Sequence, residues 1–346
     1  MSALLLSVSM DRWLDHHQAF LAWRATHTDP PFLGVEVPSA VRDAAGMLLV
    51  IDRSSGAVLG RRRLPMPQGA CFEGERLWVT LRGPSAIAAL DGHGERRWAR
   101  PWLMNPHTLA PCGPGRWLLT SSGTDTIAEV DAWGAVHWRW RAWEHGLGVR
   151  PDGAPYRFDP TRDHGAYVGV AADHAVHPNS ALPDGDHVLA TFFHQGVIAR
   201  IDRRTGGWTV ALDGLDRPHA LRRAPWGYTV ADSQRGRVLR LDRRLQVIGV
   251  HAGLDWVQDA AWVPGPGGGS LYILSNRHIA AAHDARHNSL LELDAETGER
   301  RAEHTFPAQY HLYAVESVPD GWLSSPTFHR CFQSNAHNIA PQELSP

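Results

Sequence analysis

Histidine is the residue type through which this chain could most readily do chemistry. The 346 residues include 21 histidines, and several of them precede a turn proline by a similar number of residues. His177 and His219 each lie six residues before such a proline, His107 lies seven before and His311 eight before. Imidazole is a common ligand of transition metals and a common general acid or base. These four histidines are the candidate metal ligands.

The elements that must position them are strands of a repeat. Apolar strands that end in aspartate recur with spacings of 39, 40, 71, 40 and 52 residues. A period near 40 residues is typical of one four-stranded propeller blade, and the two longer spacings indicate insertions. The aspartates are Asp52, Asp91, Asp131, Asp202, Asp242 and Asp294.

The two ends of the chain carry incomplete units. Residues 46–52 and 57–60 form two strands without an inner partner, whereas 314–318 and 321–323 are not followed by an Asp-terminated strand. We therefore predict that the N- and C-terminal strands share one blade and close the ring. The result is an all-β, six-bladed β-propeller, with seven blades as the alternative. The apolar run 4–8 is either a further strand of the closing blade or an addition to it.

The repeat also predicts the domain organisation. No break in composition suggests a linker, so residues 1–346 are interpreted as one propeller domain. Residues 11–27 contain apolar positions that could line one face of a short helix packed against the propeller. The insertion at about 143–172 is rich in Pro and Gly, and long loops in compact domains are usually functional. We expect it to form a lid over one mouth of the channel.

Composition excludes several kinds of function. The formal net charge of −2 gives no electrostatic reason to expect nucleic acid or a membrane as partner. The sequence contains no lysine, which excludes lysine Schiff-base and P-loop chemistry. Its three cysteines are too far apart for a thiolate zinc site. The N-terminal apolar run lacks a preceding basic residue and makes a poor signal peptide, so we expect a cytoplasmic protein. We expect its substrate to be a small molecule.

The propeller fold would bring the candidate histidines together. Innermost strands run along the central channel, so equivalent positions near one end of each strand converge on the axis. Three or four neutral imidazoles there would bind zinc, iron or copper and leave coordination positions open. The alternative is that these histidines only hydrogen-bond one another, water and the backbone.

Two stretches resemble a known family. Residues 173–202, which contain His177-Pro178-Asn179-Ser180, resemble the His-x-Asn-Ser blade of bacterial arylsulfotransferases, and residues 256–294 are similar to a later blade. The resemblance implies a six-bladed propeller that transfers a sulfuryl group through a sulfohistidine, with His107, His177 and Asn179 at matching positions.

Two positions depart from that family's pattern. Phe193, beside His194, stands where the family has an arginine, and Asp259 stands where it has the nucleophilic histidine. The unit at 217–242 instead resembles blades of NHL-type and gluconolactonase-like propellers. Among NHL-type relatives, an amidating lyase binds zinc through channel histidines, which implies a metal.

Three functions follow as hypotheses. The first is a metal-dependent enzyme of lyase, hydrolase or oxygenase type, in which Asp259 is a ligand or general base. The second is metal-free group transfer of arylsulfotransferase type, with a histidine nucleophile and Asn179 as oxyanion donor. The third is a propeller that serves as a non-catalytic binding scaffold. The candidate catalytic residues are Asp259, Asn179 and His194.

Overall fold

Six antiparallel sheets of four strands each make up the described part of the chain. The computed structural model describes residues 2–26, 45–156, 159, 163–164, 171–277 and 287–332. The innermost strand of each sheet contacts the innermost strands of its two neighbours, so the sheets close into a ring. The predicted all-β, six-bladed β-propeller is confirmed, and the seven-bladed alternative is wrong.

The strands follow the chain in blade order, and each blade begins at the channel. The first three strands are β1 (Ala3–Met10), β2 (Ala45–Asp52) and β3 (Val58–Pro65). Blade 1 consists of β4 (Pro67–Glu73), β5 (Arg76–Leu81), β6 (Ala86–Asp91) and β7 (Gly94–Ala99). Blade 2 consists of β8 (Pro106–Gly113), β9 (Arg116–Ser121), β10 (Thr126–Asp131) and β11 (Val136–Arg141).

The second half of the chain repeats this order. Blade 3 consists of β12 (Pro178–Asp184), β13 (His187–Phe192), β14 (Val197–Asp202) and β15 (Trp208–Leu212). Blade 4 consists of β16 (Pro218–Ala224), β17 (Gly227–Asp232), β18 (Arg237–Asp242) and β19 (Val247–His251). Blade 5 consists of β20 (Trp256–Val263), β21 (Ser270–Asn276), β22 (Asn288–Asp294) and β23 (Arg300–Phe306), and β24 (His311–Ser317) follows it.

The closing blade combines both ends of the chain, as predicted. Its strand order is β24, β1, β2, β3, so the C-terminal strand is innermost and the apolar run at 4–8 is the second strand. Leu5 pairs with Glu316 on one side and with Val50 on the other. Residues 321–323 do not form a strand: a 3-10 turn at Trp322–Ser324 leads into helix α2, Pro326–Cys331.

Helix α2 follows from local sequence. Pro326 occupies the first turn, where a missing N–H costs nothing, and the Ser325 hydroxyl accepts from the N–H of Phe328 at 3.2 Å. Among the described residues, helix α1 (Trp13–Ala25) lies within the predicted helical segment 11–27.

The aspartates that mark the repeat end the third strand of each blade. In the closing blade, Asp52 Oδ1 accepts from the backbone N–H of Ser54 at 3.0 Å and of Ser55 at 2.9 Å. The same turn recurs at Asp202, which accepts from the N–H groups of Arg204 and Thr205. An aspartate that bonds to the backbone two or three residues later forms a tight turn. The repeat of the sequence is therefore a repeat of this turn.

The core lies between neighbouring blades. Trp140 of β11 is fully buried and stacks on Phe192 of blade 3 at 5.4 Å between ring centroids, and its Nε1 donates to the Gly206 carbonyl at 2.9 Å. Trp78 and Trp117 join blades 1 and 2 through a tilted contact, with ring centroids 4.5 Å apart. Such rings bury large areas and hold adjacent sheets together.

One face of the ring collects the long connections. Because strands alternate in direction, the starts of the inner strands and the connections between second and third strands lie on the same face. The intervals 11–44, 142–177 and 277–287 begin and end there. Much of the predicted lid, including residues 160–162 and 165–170, lies outside the described residues. No helix in the described ranges is long and apolar enough to cross a bilayer.

Candidate functional site

The inner strands of blades 1 to 4 begin with the same backbone conformation. A non-glycine residue with positive φ stands immediately before a proline that starts the strand: Met66 (φ 44°), Asn105 (52°), His177 (54°) and Arg217 (54°). Left-handed backbone costs a non-glycine residue of the order of 1–3 kcal/mol and is concentrated at functional sites. The residues that follow these prolines are Gln68, His107, Asn179 and His219.

This register corrects one sequence interpretation. His107 and His219 are structurally equivalent, but His177 lies two residues earlier, at the left-handed position. Counting back from the downstream proline misaligned it, because Pro183 lies within β12 and pairs with Val188, whereas Pro225 lies in the turn after β16. His311 is the first residue of β24, in the closing blade.

His107 and His219 are held by identical contacts. The Nδ1 atom of His107 lies 2.9 Å from the Asn105 carbonyl and 3.0 Å from the Ser122 hydroxyl. The Nδ1 atom of His219 lies 3.1 Å from the Arg217 carbonyl. It also lies 2.8 Å from the hydroxyl of Ser233, which follows the second strand as Ser122 does in blade 2. The two blades therefore repeat the same support for an imidazole.

These contacts determine the tautomer. A carbonyl oxygen only accepts, so the hydrogen of each neutral ring is on Nδ1, and Nε2 keeps its lone pair. Burial lowers the pKa of His219 to about 4 and that of His107 well below its usual range, where the positive charge of Arg82 acts in the same direction. Both rings are neutral at pH 7, with Nε2 as an acceptor.

Asn179 belongs to the same series. Its Nδ2 donates to the Pro218 carbonyl at 3.0 Å, which fixes the orientation of the amide. Its Oδ1 is buried and has no hydrogen-bond partner among the described residues. With the amide in this orientation, Asn179 has an acceptor at Oδ1 that no described residue uses, and its Nδ2 keeps a second N–H that could act as the oxyanion donor of the resemblance.

A second histidine pair lies beside these residues. Nδ1 of His174 and Nδ1 of His177 are 2.6 Å apart, so one ring donates to the other, and the rings stack at 4.9 Å. Burial lowers the pKa of His174 to about 3, and the pair is neutral. The carboxylate of Asp125, from blade 2, accepts from the N–H groups of Ala175, Val176 and His177 at 2.6 to 3.0 Å. Asp125 thus fixes the turn that carries the pair.

Ring contacts join the histidines of different blades into one cluster. His107 meets His177 edge-on at 4.9 Å, and Phe193 contacts His177 at 5.2 Å and His219 at 5.4 Å. Tyr313 of the closing blade contacts His107 at 5.7 Å and His311 at 6.2 Å. We call this region the channel mouth; its rings are His107, His174, His177, Phe193, His194, His219, Trp256, His311 and Tyr313.

The outer members are also restrained. Nε2 of His194 donates to the Ala171 carbonyl at 2.7 Å, and burial lowers the pKa of this histidine. Burial lowers the pKa of His311 to about 3. Sequence reasoning missed His174, Tyr313 and Arg82. A left-handed residue before each strand-opening proline could have indicated where to look, but backbone angles cannot be read from residue types.

Asp259 lies deeper in the channel and has a different role. Its carboxylate is fully buried and pairs with the Arg222 guanidinium through two contacts, of 3.0 and 2.5 Å. It also accepts from the N–H groups of Ala260 and Val315 at 2.8 and 3.0 Å. Arg222 in turn pairs with Glu316. We call Arg222, Asp259 and Glu316 the ionic cluster; it joins blades 4 and 5 to the closing blade.

The channel beneath the mouth is narrow. A cavity of about 40 Å³ is lined from all six blades, including Ala70, Leu109, Ala181 and the ionic cluster. That volume holds a few water molecules, whereas organic ligands need cavities several times larger. The same cavity reaches Asn179, His219 and Tyr313, so it connects the ionic cluster with the channel mouth.

The histidines of the channel mouth do not by themselves form a metal site among the described residues. Within the ranges that the structure describes, no three side chains of His, Cys, Asp or Glu lie close enough together to hold a metal ion. The predicted ligands His107, His177, His219 and His311 share the channel mouth, but ring contacts rather than a common coordination point relate them.

Comparison with known proteins places the fold. No family model matches the sequence, and no curated protein is similar to it. A protein of unknown function from Bacteroides caccae superposes with a TM-score of 0.59 and 13% identity, covering 92% of this chain and 99% of that chain. A chain of the nidogen/laminin complex gives 0.57 and 13%, covering 92% and 98%. These likenesses show the fold alone: the protein is a six-bladed β-propeller.

Proposed function

We propose that this protein is an enzyme that acts on a small organic molecule at the channel mouth, with the Nε2 atoms of His107 and His219 as hydrogen-bond acceptors and general bases. The observation that carries the proposal is the paired Nδ1 anchor, which two blades repeat with the same backbone strain and the same serine. In both blades the anchor leaves Nε2 of a neutral ring as an acceptor.

The chemistry follows from the protonation state. Each Nε2 can take a proton from a substrate group, and the Nδ1 contact with a carbonyl stabilises the cation that results. Because burial lowers the pKa of His219 to about 4, this base suits a proton that becomes acidic as the reaction proceeds. The neighbouring rings of Phe193 and Trp256 exclude water from it.

The experiment is a conversion screen with matched variants. Purified protein is incubated with a mixture of small metabolites, and consumed compounds are identified by mass spectrometry. His219→Asn retains a donor near the Nδ1 position but removes Nε2, so we expect turnover to fall by about 10²- to 10⁴-fold. His251→Asn, in the outermost strand of the same blade, is the control and should retain wild-type turnover. Turnover equal in His219→Asn and the control would place the chemistry elsewhere.

A metal-dependent form of this enzyme is the second candidate. Histidines that bind metals commonly donate through the other ring nitrogen to a carbonyl, as His107 and His219 do here. The described residues do not by themselves complete a coordination sphere. Elemental analysis of untagged wild-type, His177→Ala and His219→Ala proteins decides it. Near-stoichiometric zinc, iron or copper that falls in both variants supports the metal, and trace metal that is equal in all three contradicts it.

Sulfuryl transfer is less well supported by the site. Asp259 is engaged by Arg222, and Phe193 offers no charge to a sulfate. Incubation with an aryl sulfate and a phenol acceptor tests this alternative directly. Transfer of the sulfuryl group to the phenol that is lost when His177 or His107 is replaced would support sulfuryl transfer.

A further inference from the structure

We infer that the channel mouth recognises an uncharged, polyhydroxylated molecule through the hydrogens of its hydroxyl groups. The inference rests on the proposed function and names its substrate class. It starts from three atoms presented by three successive blades: Nε2 of His107, Oδ1 of Asn179 and Nε2 of His219.

These three atoms share one construction. Each side chain donates through its other polar atom to a backbone carbonyl, namely that of Asn105, Pro218 or Arg217. In the two imidazoles the single N–H is thereby used within the protein, whereas Asn179 keeps a second N–H on Nδ2; the acceptor remains in all three. The carbonyl partners fix both ring tautomers and the amide orientation, so none of the three can become a donor without breaking its support.

Unsatisfied polar atoms accompany this construction. Oδ1 of Asn179 is buried without a partner among the described residues, as are Oε1 of Gln68 and both amide atoms of Asn105. Asn105 and Asn179 are 4% and 1% exposed. A buried polar group without a hydrogen bond costs about 1–3 kcal/mol, so several together indicate a site that a ligand or ordered water completes. Most of the orphaned atoms are acceptors, which calls for donors.

The charges favour hydroxyl groups over an ammonium or a metal cation. The positive charge of Arg82 acts on His107, His174 and His311. The buried carboxylates nearby are already engaged: Asp125 by three N–H groups, and Asp259 by Arg222. A cation would meet neutral acceptors and a nearby guanidinium, whereas a hydroxyl brings a donor without added charge.

Aromatic rings flank the acceptors. Phe193 lies 5.4 Å and Trp256 5.5 Å from His219, both approaching it edge-on. Rings beside hydrogen-bonding groups suit a ligand that has apolar C–H surfaces as well as hydroxyls. Polyhydroxylated carbon skeletons have both.

The test measures binding and not turnover. The probes are cis-1,2-cyclohexanediol, its dimethyl ether and protonated cyclohexylamine, which share one ring. The ether keeps both oxygens as acceptors and removes both donors. We expect saturation-transfer NMR to show the diol binding to wild-type protein at least tenfold more tightly than the ether or the amine. Equal binding of diol and ether, tighter binding of the amine, or no binding of the diol would overturn the inference.

Two variants locate the effect. His219→Gln places an amide near the Nε2 position and should retain part of the diol preference, whereas His219→Asn should lose it. Unfolding midpoints of both variants show whether they are folded, and His251→Asn is the matched control. If His219→Asn loses turnover but binds diol and ether as wild type does, the inference fails and the proposed function stands. If it loses the diol preference without loss of turnover, the inference stands and the proposed function fails.

Discussion

The channel mouth and the ionic cluster are built from the same inner strands, yet their buried polar groups differ in how fully they are hydrogen-bonded. In the ionic cluster, the two oxygens of Asp259 receive four contacts, and Arg222 joins both carboxylates. At the mouth, Asn105 and Asn179 have buried amide atoms that find no partner among the described residues. Satisfied groups stabilise the ring, and unsatisfied groups are the ones available to a ligand. The proposed function depends on this difference between the two regions of one channel.

The largest expected effect comes from breaking the ionic cluster. Asp259→Ala leaves Arg222 buried with one partner fewer and exposes the Val315 N–H to a cavity, so we expect a loss of about 3–5 kcal/mol in the free energy of unfolding. Urea denaturation measures it, with the exposed Glu299→Gln as control. If instead Asp259→Ala keeps its stability and loses turnover, Asp259 is catalytic and the contrast between the two regions is wrong.

Asp125 tests whether a satisfied group at the mouth is also structural. Asp125→Ala leaves three buried N–H groups without an acceptor, and we expect it to cost about 3 kcal/mol. The left-handed turn at His177 would relax at the same time. Hydrogen exchange of the amides of Ala175, Val176 and His177 should accelerate beyond what the global loss of stability explains. Unchanged protection of these amides would contradict the role of Asp125 in holding this turn.

Acid should weaken the fold through the buried histidines. The pKa of His219 is about 4 in the folded protein and about 6.5 in the unfolded chain, so the unfolded chain binds more protons between these values. Stability from this group is complete above about pH 6.5 and is lost as the pH falls towards 4. We expect about 2 kcal/mol to be lost between pH 7 and pH 5.

The measurement is the difference in pH dependence between wild type and His219→Gln. Burial raises the pKa of Asp125 to about 6, which destabilises the fold as the pH rises and opposes the histidine effect in the same window. The difference between the two proteins removes that contribution. Parallel stability curves for wild type and His219→Gln would show that His219 does not lose its proton on folding.

The smallest expected effect concerns the serine support. Ser233→Ala removes the hydroxyl at 2.8 Å from His219 Nδ1 but leaves the Arg217 carbonyl, so we expect a loss of about 1 kcal/mol. The ring should remain in the same tautomer, which histidine nitrogen NMR detects. A switch of the ring hydrogen to Nε2 would show that the serine, and not the carbonyl, determines which atom faces the ligand.

Local residue patterns were sufficient for much of the fold. The aspartates that end third strands revealed the repeat because each bonds to its own turn, as Asp52 and Asp202 do. The same reasoning located the histidines near the channel. It placed His177 in the wrong register, because Pro183 lies inside a strand and not in the turn, which the residue type alone does not reveal.

The sequence by itself determined the β-propeller, the closure of the ring by both chain ends and the presence of imidazoles at the channel, since these depend on turns, strand patterns and residue type. Only the tertiary structure decided which atom each side chain presents. Asn179 is oriented by Pro218, 39 residues away, and Arg222 is paired with Glu316, 94 residues away. Contacts between blades depend on how sheets pack around the axis, and that packing cannot be read from neighbouring residues.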